Sequence, residues 1–98
     1  MNDDPLEIEI KKQSSFDDSL AEAVPIAENR KEGERAIRFA VTIPGMGKPA
    51  GTSAPLMLPV FALPLRKSAF NPPLVAYYCQ HKNTVILMSV RVTEITEE

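Results

Sequence analysis

The chain has few of the residues that build disulfides, metal sites and membrane spans. It contains one cysteine and one histidine, Cys79 and His81. A single cysteine cannot form an internal disulfide, and zinc needs several His, Cys or carboxylate ligands in one place. The longest apolar run, 54–65, is shorter than the roughly 20 residues of a membrane-spanning helix, and prolines interrupt it. We therefore predict no disulfide, no metal site, no cofactor and no membrane anchor.

A dense cluster of basic side chains is also missing. The 98 residues carry 11 Lys and Arg against 13 Asp and Glu, a formal net charge of -2. Proteins that hold nucleic acid mainly through its phosphates need clustered Lys and Arg, so nucleic acid is disfavoured as a partner. Residues 1–12 lack the basic start and the apolar stretch of a secretion signal. We accordingly expect a cytoplasmic protein.

The apolar material that is present suffices for one folded domain. Hydrophobic residues make up 44% of the chain and charged residues 24%, which is typical of globular proteins rather than of disordered ones. The charge is uneven, because 1–38 hold ten acidic and six basic residues whereas 39–98 hold three and five. We predict a single small domain over 1–98, with an acidic, solvent-facing first part and a flexible N-terminus at about 1–5.

The first part shows a strand pattern followed by a helix pattern. Apolar and charged residues alternate over 6–11, which predicts a half-buried strand. Over 16–24, apolar residues recur every four positions around two aspartates, which predicts a short helix with Ser14 or Ser15 as its N-cap. Pro25 should end this helix, because proline cannot continue its hydrogen bonds.

Three further stretches follow before the apolar second half. Residues 28–35 are almost wholly charged, which predicts an exposed connection. Apolar residues alternate with others over 37–43, which predicts a second strand that the following Pro-Gly pair ends. The glycine-containing residues 44–54 are predicted to form a flexible loop.

The last third of the chain has the pattern of an antiparallel hairpin. Residues 74–80 are apolar or aromatic on both faces, as in a central strand, and 81–83 are typical of a turn. A long strand follows, and one of its faces is predicted to hold Thr84, Ile86, Met88, Val90 and Val92. Together these patterns predict an α+β fold, with a mainly antiparallel sheet of four to five strands and one short N-terminal helix in a single domain.

The most unusual stretch is the uncharged, proline-punctuated segment 49–65. Its prolines at 49, 55, 59 and 64 each fix φ and remove a backbone donor, which excludes a helix and a central strand and leaves short edge strands, extended turns or polyproline-like backbone. Its apolar side chains need cover, either from the domain's own core or from a partner, and the residues leave both open. For a partner, we predict a docking surface that consists of Leu56, Met57, Leu58, Val60, Phe61 and Arg66.

Motifs that would carry catalysis are weak. A phosphate-binding loop needs G-x-x-x-x-G-K-[ST] before a helix, but in the glycine loop of this chain Pro49 follows Lys48. Cys79 and His81 share one strand face, yet a cysteine in an apolar strand is expected to behave as a small hydrophobe. The carboxylate pairs Asp3 with Asp4 and Asp17 with Asp18 lie at a terminus and at a helix start, so neither resembles a buried acid/base pair. We predict no catalytic residues.

These observations favour a small non-enzymatic protein–protein interaction domain that acts as a regulator, inhibitor or adaptor. It would dock a protein partner, or a second copy, through the apolar segment and a strand edge. One alternative is a structural subunit of a larger assembly, such as a phage or secretion component. Another is a small toxin-type ribonuclease, although that class would be expected to be basic and to carry a compact set of Arg, Lys, His or Glu on its sheet.

Overall fold

The chain has an α+β fold, in which two described helices pack against one described five-stranded sheet. The computed structural model describes residues 8–43, 45–53, 57–69 and 71–93. Within these ranges lie β1 Glu9–Lys12, α1 Ser14–Ala23, α2 Ala27–Ala40, β2 Lys48–Ser53, β3 Leu58–Leu65, β4 Leu74–His81 and β5 Thr84–Val92. The predicted fold class is confirmed, with one helix more than the sequence patterns indicated.

The five described strands form one sheet in the order β1-β5-β4-β3-β2. From β2 to β5, each strand pairs antiparallel with its neighbour in sequence, whereas β1 lies parallel to β5. The mainly antiparallel sheet that the sequence predicted is therefore confirmed, and its edges are β1 and β2.

Both helices pack on the same face of the sheet and bury the core there. α1 contributes Phe16 and Leu20, α2 contributes Ile37 and Ala40, and each of these side chains is 5% exposed or less. From the sheet, they meet Leu63, Leu74, Ala76, Tyr78, Val85, Leu87 and Val90. We call the second face of the sheet the open face, because no described helix or strand lies over it.

α1 covers all but the last residue of its predicted range, 16–24, but begins two residues earlier and without a side-chain cap. Its N-cap is Gln13, and Ser14 and Ser15 are its first two helical residues, so the predicted cap is wrong. The Ser15 hydroxyl points elsewhere and donates to the carbonyl oxygen of Met88 at 2.8 Å. Val24 follows the last helical residue, which agrees with the stop predicted from the proline after it.

A β-bulge at Met88 gives β5 one residue more than β4. Two serines of α1 satisfy the backbone there: Ser15 reaches the Met88 carbonyl, and the Val90 N–H donates to Ser19 Oγ at 2.9 Å. The bulge also reverses the alternation of faces. Val90 and Val92 therefore lie on the helix side together with Leu87, and their predicted place beside Met88 is wrong.

α2 covers the whole connection predicted over 28–35 and the first four residues of the strand predicted over 37–43, and 41–43 follow it outside any strand, so both predictions are wrong. Its buried residues are Gly33, Ile37 and Ala40, which recur at i, i+4 and i+7 and so form one face of a helix. The charged residues around them form its water-facing side. At 14 residues, α2 is the longer of the two described helices, and neither is long and apolar enough to cross a membrane.

β2 is a strand where the sequence predicted a flexible loop over 44–54. It runs from Lys48 to Ser53 at the edge of the sheet, and its pairing with β3 shifts between Pro49 and Gly51. Pro49 therefore lies in an edge strand, which is where a residue without a backbone donor disturbs a sheet least.

β3 carries two prolines although it pairs with a strand on each side, so the prediction that excluded a central strand here is wrong. Pro59 pairs only with β2, because the pairing with β4 begins at Val60. Pro64 pairs only with β4, because the pairing with β2 ends at Ala62. Each proline thus lies where β3 has a single neighbour, and its missing donor leaves no gap in a doubly paired ladder.

A network of ion pairs connects β1 to both helices. Lys12 Nζ lies 2.9 Å from Asp17 Oδ1 in α1 and 3.2 Å from Glu34 Oε2 in α2. Arg38 Nε also reaches Glu34 Oε2, at 3.0 Å. The hydrogen bond to Asp17 and, after it, the hydrogen bond and charge of Glu34 raise the pKa of Lys12 above its ordinary value of 10.5, against an opposing effect of burial.

Candidate functional site

The open face consists of the strand side chains that point away from the helices, because successive residues of a strand lie on opposite faces of the sheet. Residues opposite each other in paired strands share a face, so Val60, Cys79 and Ile86 form a row across the middle of the sheet. The apolar side chains of the open face are Leu58, Val60, Ala62, Val75, Tyr77, Cys79, Ile86 and Met88. All of them except Cys79 are partly exposed to solvent.

Cys79 lies at the centre of the open face and is fully buried by its neighbours. Its Sγ donates a weak hydrogen bond to Met88 Sδ at 3.3 Å. His81, two residues later on the same face, is exposed at the end of the strand. The thiol is therefore shielded from solvent, which is the environment of an unreactive cysteine.

Positive side chains border the apolar centre of the open face. Lys11 in β1, Lys48 in β2 and Arg91 in β5 all belong to this face by their register. Glu9, 4.0 Å from Lys11, is the one acidic residue that the described pairing places there. The described part of the open face is consequently positive, whereas the total formal charge of the chain is -2.

Tyr77 and Arg91 form a cation–π contact on the open face. The guanidinium carbon of Arg91 lies 5.7 Å from the centroid of the Tyr77 ring. One side of the only described aromatic ring on this face is thus occupied by the protein's own cation.

The residues predicted to bind a partner are divided by the structure. Leu58 and Val60 lie on the open face. Met57 is 71% exposed in the turn before β3 and has φ 59°. Arg66 is exposed just after β3, and Leu56 lies outside the described residues.

Phe61 faces the helix side of the sheet. Its ring stacks on Tyr78, with 5.5 Å between the ring centroids, and it packs against the core while remaining partly exposed. β3 therefore sends alternate residues to the core and to the open face. Within the proline-punctuated segment, therefore, some residues belong to the core and their neighbours belong to the candidate interface.

A cleft with a volume of about 420 Å³ opens on the helix side at one end of the sheet, and we call it the end cleft. Val41 and Ile43, which follow α2, and Phe61 in β3 form apolar walls. Gln80 and Lys82 add polar groups from the end of β4 and the turn after it. Among the described residues that line this cleft, Lys82 is the one charged side chain.

Tyr78 also lines the end cleft and is 4% exposed. Burial raises the pKa of its hydroxyl above the ordinary value of 10.0, so the hydroxyl is neutral at physiological pH. This hydroxyl lies directly against Gly47, where a Cβ atom would overlap it. Glycine is therefore the residue that lets the loop after α2 pass over the tyrosine.

The described residues form few arrangements suited to catalysis or metal binding. Within 8–43, 45–53, 57–69 and 71–93, no three His, Cys, Asp or Glu side chains come together as a metal-binding group. Lys48 begins an edge strand instead of preceding a helix, so the glycine loop does not have the geometry of a phosphate-binding loop. Asp17 is paired with Lys12, and the pair Asp3 and Asp4 lies outside the described residues.

Most residues of the open face and of the end cleft were not predicted from the sequence. The apolar character of 74–80 on both faces was the signal for Val75 and Tyr77, since a strand with two apolar faces needs cover on each. For the end cleft the sequence contains no usable signal. The alternation over 37–43 predicts a strand through Val41 and Ile43, whereas the cleft depends on where α2 ends.

Comparisons with protein-family models, with curated proteins and with solved structures found no significant match to this chain.

Proposed function

We propose that this chain is a small non-enzymatic protein–protein interaction domain that binds another protein through the open face of its sheet. The observation that supports this proposal is the apolar centre of that face, over which no described helix or strand lies. A solvated sheet face usually carries polar side chains. Contiguous apolar side chains such as Val60, Ile86 and Met88 are instead typical of an interaction surface.

The charges around the apolar centre indicate the chemistry of the partner. Lys11, Lys48 and Arg91 favour a protein that presents an apolar patch flanked by Asp and Glu side chains. A second copy of this chain fits less well. In a symmetric face-to-face dimer the same positive borders would approach each other, and like charges disfavour such a contact.

The edge of β2 contributes less to this proposal than the face does. Edge strands can accept an added strand from a partner. In β2, however, Pro49 has no backbone donor and the pairing is irregular before Gly51, and both features discourage strand addition. We therefore assign the binding energy mainly to side chains of the open face.

The ribonuclease alternative gains no support from the open face. Binding of single-stranded RNA uses several exposed aromatic rings on which bases stack. The described part of this face has Tyr77 alone, and Arg91 already covers one side of its ring.

The proposal is tested by capture from a lysate of the source organism with nuclease present, followed by calorimetry with the purified partner. Val60→Lys places a charge at the centre of the open face and should weaken binding by at least about tenfold, because central apolar contacts dominate interfaces. The fold should persist, since Val60 is partly exposed and lysine can extend to solvent. The melting temperature and far-ultraviolet circular dichroism of the variant check this point.

Ile26→Lys is the matched control. Ile26 is 60% exposed just before α2, so the same change there alters apolar surface outside the open face. A protein retained by the wild type and by Ile26→Lys but lost with Val60→Lys would support the proposal. Equal retention by all three proteins would contradict it. A dimer of the wild type in sedimentation that Val60→Lys abolishes would replace the foreign partner with a second copy.

A further inference from the structure

We propose that the end cleft binds a small amphipathic carboxylate, that is, a molecule with an apolar body and one carboxylate group. Its volume of about 420 Å³ falls in the roughly 300–1,000 Å³ range of small-molecule sites. The cleft opens on the helix side, so the sheet separates it from the open face. This inference therefore does not rest on the proposed interaction function.

The apolar body of the ligand is inferred from the walls of the cleft. Val41 and Tyr78 are buried core residues, whereas Phe61 and Ile43 expose part of their surface to the cleft and to solvent. Phe61 and Tyr78 are stacked on each other, so they present a rigid aromatic wall. A ligand that covers this wall would remove its apolar surface from water.

The carboxylate is inferred from the polar side of the cleft. Lys82 supplies one positive charge, and the side-chain amide of Gln80 can donate hydrogen bonds. One cation next to neutral donors suits a singly charged carboxylate better than a doubly charged phosphate, which favours several cations.

The backbone at Lys82 gives an independent reason to assign the lysine a role. Lys82 has φ 58°, in the left-handed region where asparagine and glycine lie at lower energy. The two-residue turn between His81 and Thr84 needs a positive φ at its first residue, which glycine or asparagine would supply at lower energy than lysine. Strained residues of this kind are often found where a side chain is used for binding.

The test is a titration of the full ¹⁵N-labelled chain, followed by amide chemical shifts, with 4-phenylbutyrate as the probe. We expect saturable shifts around Val41, Tyr78 and Lys82 and a Kd of about 1 mM or below. The neutral 4-phenylbutyramide should bind at least about tenfold more weakly, because it lacks the charge that faces Lys82. Inorganic phosphate should bind more weakly than 4-phenylbutyrate, because it lacks the apolar body.

Lys82→Asn is the decisive variant. Asparagine tolerates the left-handed backbone, so the melting temperature should stay the same or rise while the affinity for 4-phenylbutyrate falls by about tenfold. Lys67→Gln removes an exposed charge in the β3–β4 connection, outside the cleft, and should leave the affinity unchanged. Equal binding of the amide, equal binding of phosphate, undiminished binding by Lys82→Asn, or a wild type that does not saturate would each overturn the proposal.

Discussion

Lys12 joins three elements of the fold through one ammonium group. Strand alternation in β1 places the Lys12 side chain on the helix side, where it contacts Asp17 of α1 and Glu34 of α2. The sequence predicted a strand that ends one residue before Lys12 and acidic residues at the helix start, but it contained no signal for the contact with Glu34. That contact depends on α2 folding back over β1, which is a property of the tertiary structure.

Replacing Lys12 with Met should lower the free energy of unfolding by about 0.5–1 kcal/mol near neutral pH, because partly exposed ion pairs have this size. Since the fold raises the pKa of Lys12, its contribution is complete below the ordinary value of 10.5 and is lost as the pH rises through the higher, folded value. Urea denaturation at several pH values measures the difference between the two proteins.

Lys11→Met is the control, because Lys11 is 62% exposed and lies 4.0 Å from its partner Glu9. It should change the free energy of unfolding by less than about 0.5 kcal/mol. A gap between wild type and Lys12→Met that stays constant into strongly alkaline solution would contradict the assigned role of the ammonium charge.

Among the elements, α2 differs most from the structure that its sequence pattern predicts. The alternation from Ile37 to Ile43 fits a strand, yet Ile37 and Ala40 also fit a helix that begins in the charged residues before them. A charged run is therefore compatible with either a loop or the wet side of a helix. Only the presence of a sheet face that needs cover decides between them.

The two assignments of 37–43 predict different effects of alanine substitutions. In α2, Ile37 is fully buried and Phe39 is 68% exposed, so Ile37→Ala should destabilise the protein by about 2–4 kcal/mol and Phe39→Ala by less than about 0.5 kcal/mol. Chemical denaturation of both variants measures this. Equal, large losses would place both side chains on one buried face, as a strand does.

At the scale of the molecule, the two layers differ in charge among the residues that the structure describes. The described helices carry Asp17, Asp18, Glu22, Glu28, Glu32 and Glu34 against Arg30, Lys31, Arg35 and Arg38. The described strands and their connections carry Glu9 against Lys11, Lys12, Lys48, Arg66, Lys67, Lys82 and Arg91. Among the described residues, the helix layer is thus negative and the sheet with its connections is positive, an arrangement that would orient the acidic partner proposed above toward the open face.

Association with the partner proposed for the open face should therefore slow as salt is added. We expect the association rate constant to fall by about tenfold between roughly 0.05 M and 0.5 M NaCl, because screening shortens the range of the positive field. Stopped-flow kinetics measures it. Lys48→Gln should weaken this salt dependence, whereas Lys31→Gln on α2 should not. A rate that is independent of salt would argue against electrostatic steering by this face.

The sequence by itself determined the fold class, the first helix and the final hairpin, because these depend on local signals: apolar periodicity, a proline stop and a run that is apolar on both faces. The tertiary structure decided what local signals leave ambiguous. It placed 37–40 in a helix by giving that segment a sheet to cover, and it admitted Pro59 and Pro64 to β3 at positions with a single neighbour. It also placed the open face and the end cleft, since each is formed by residues from strands and loops that are distant along the chain.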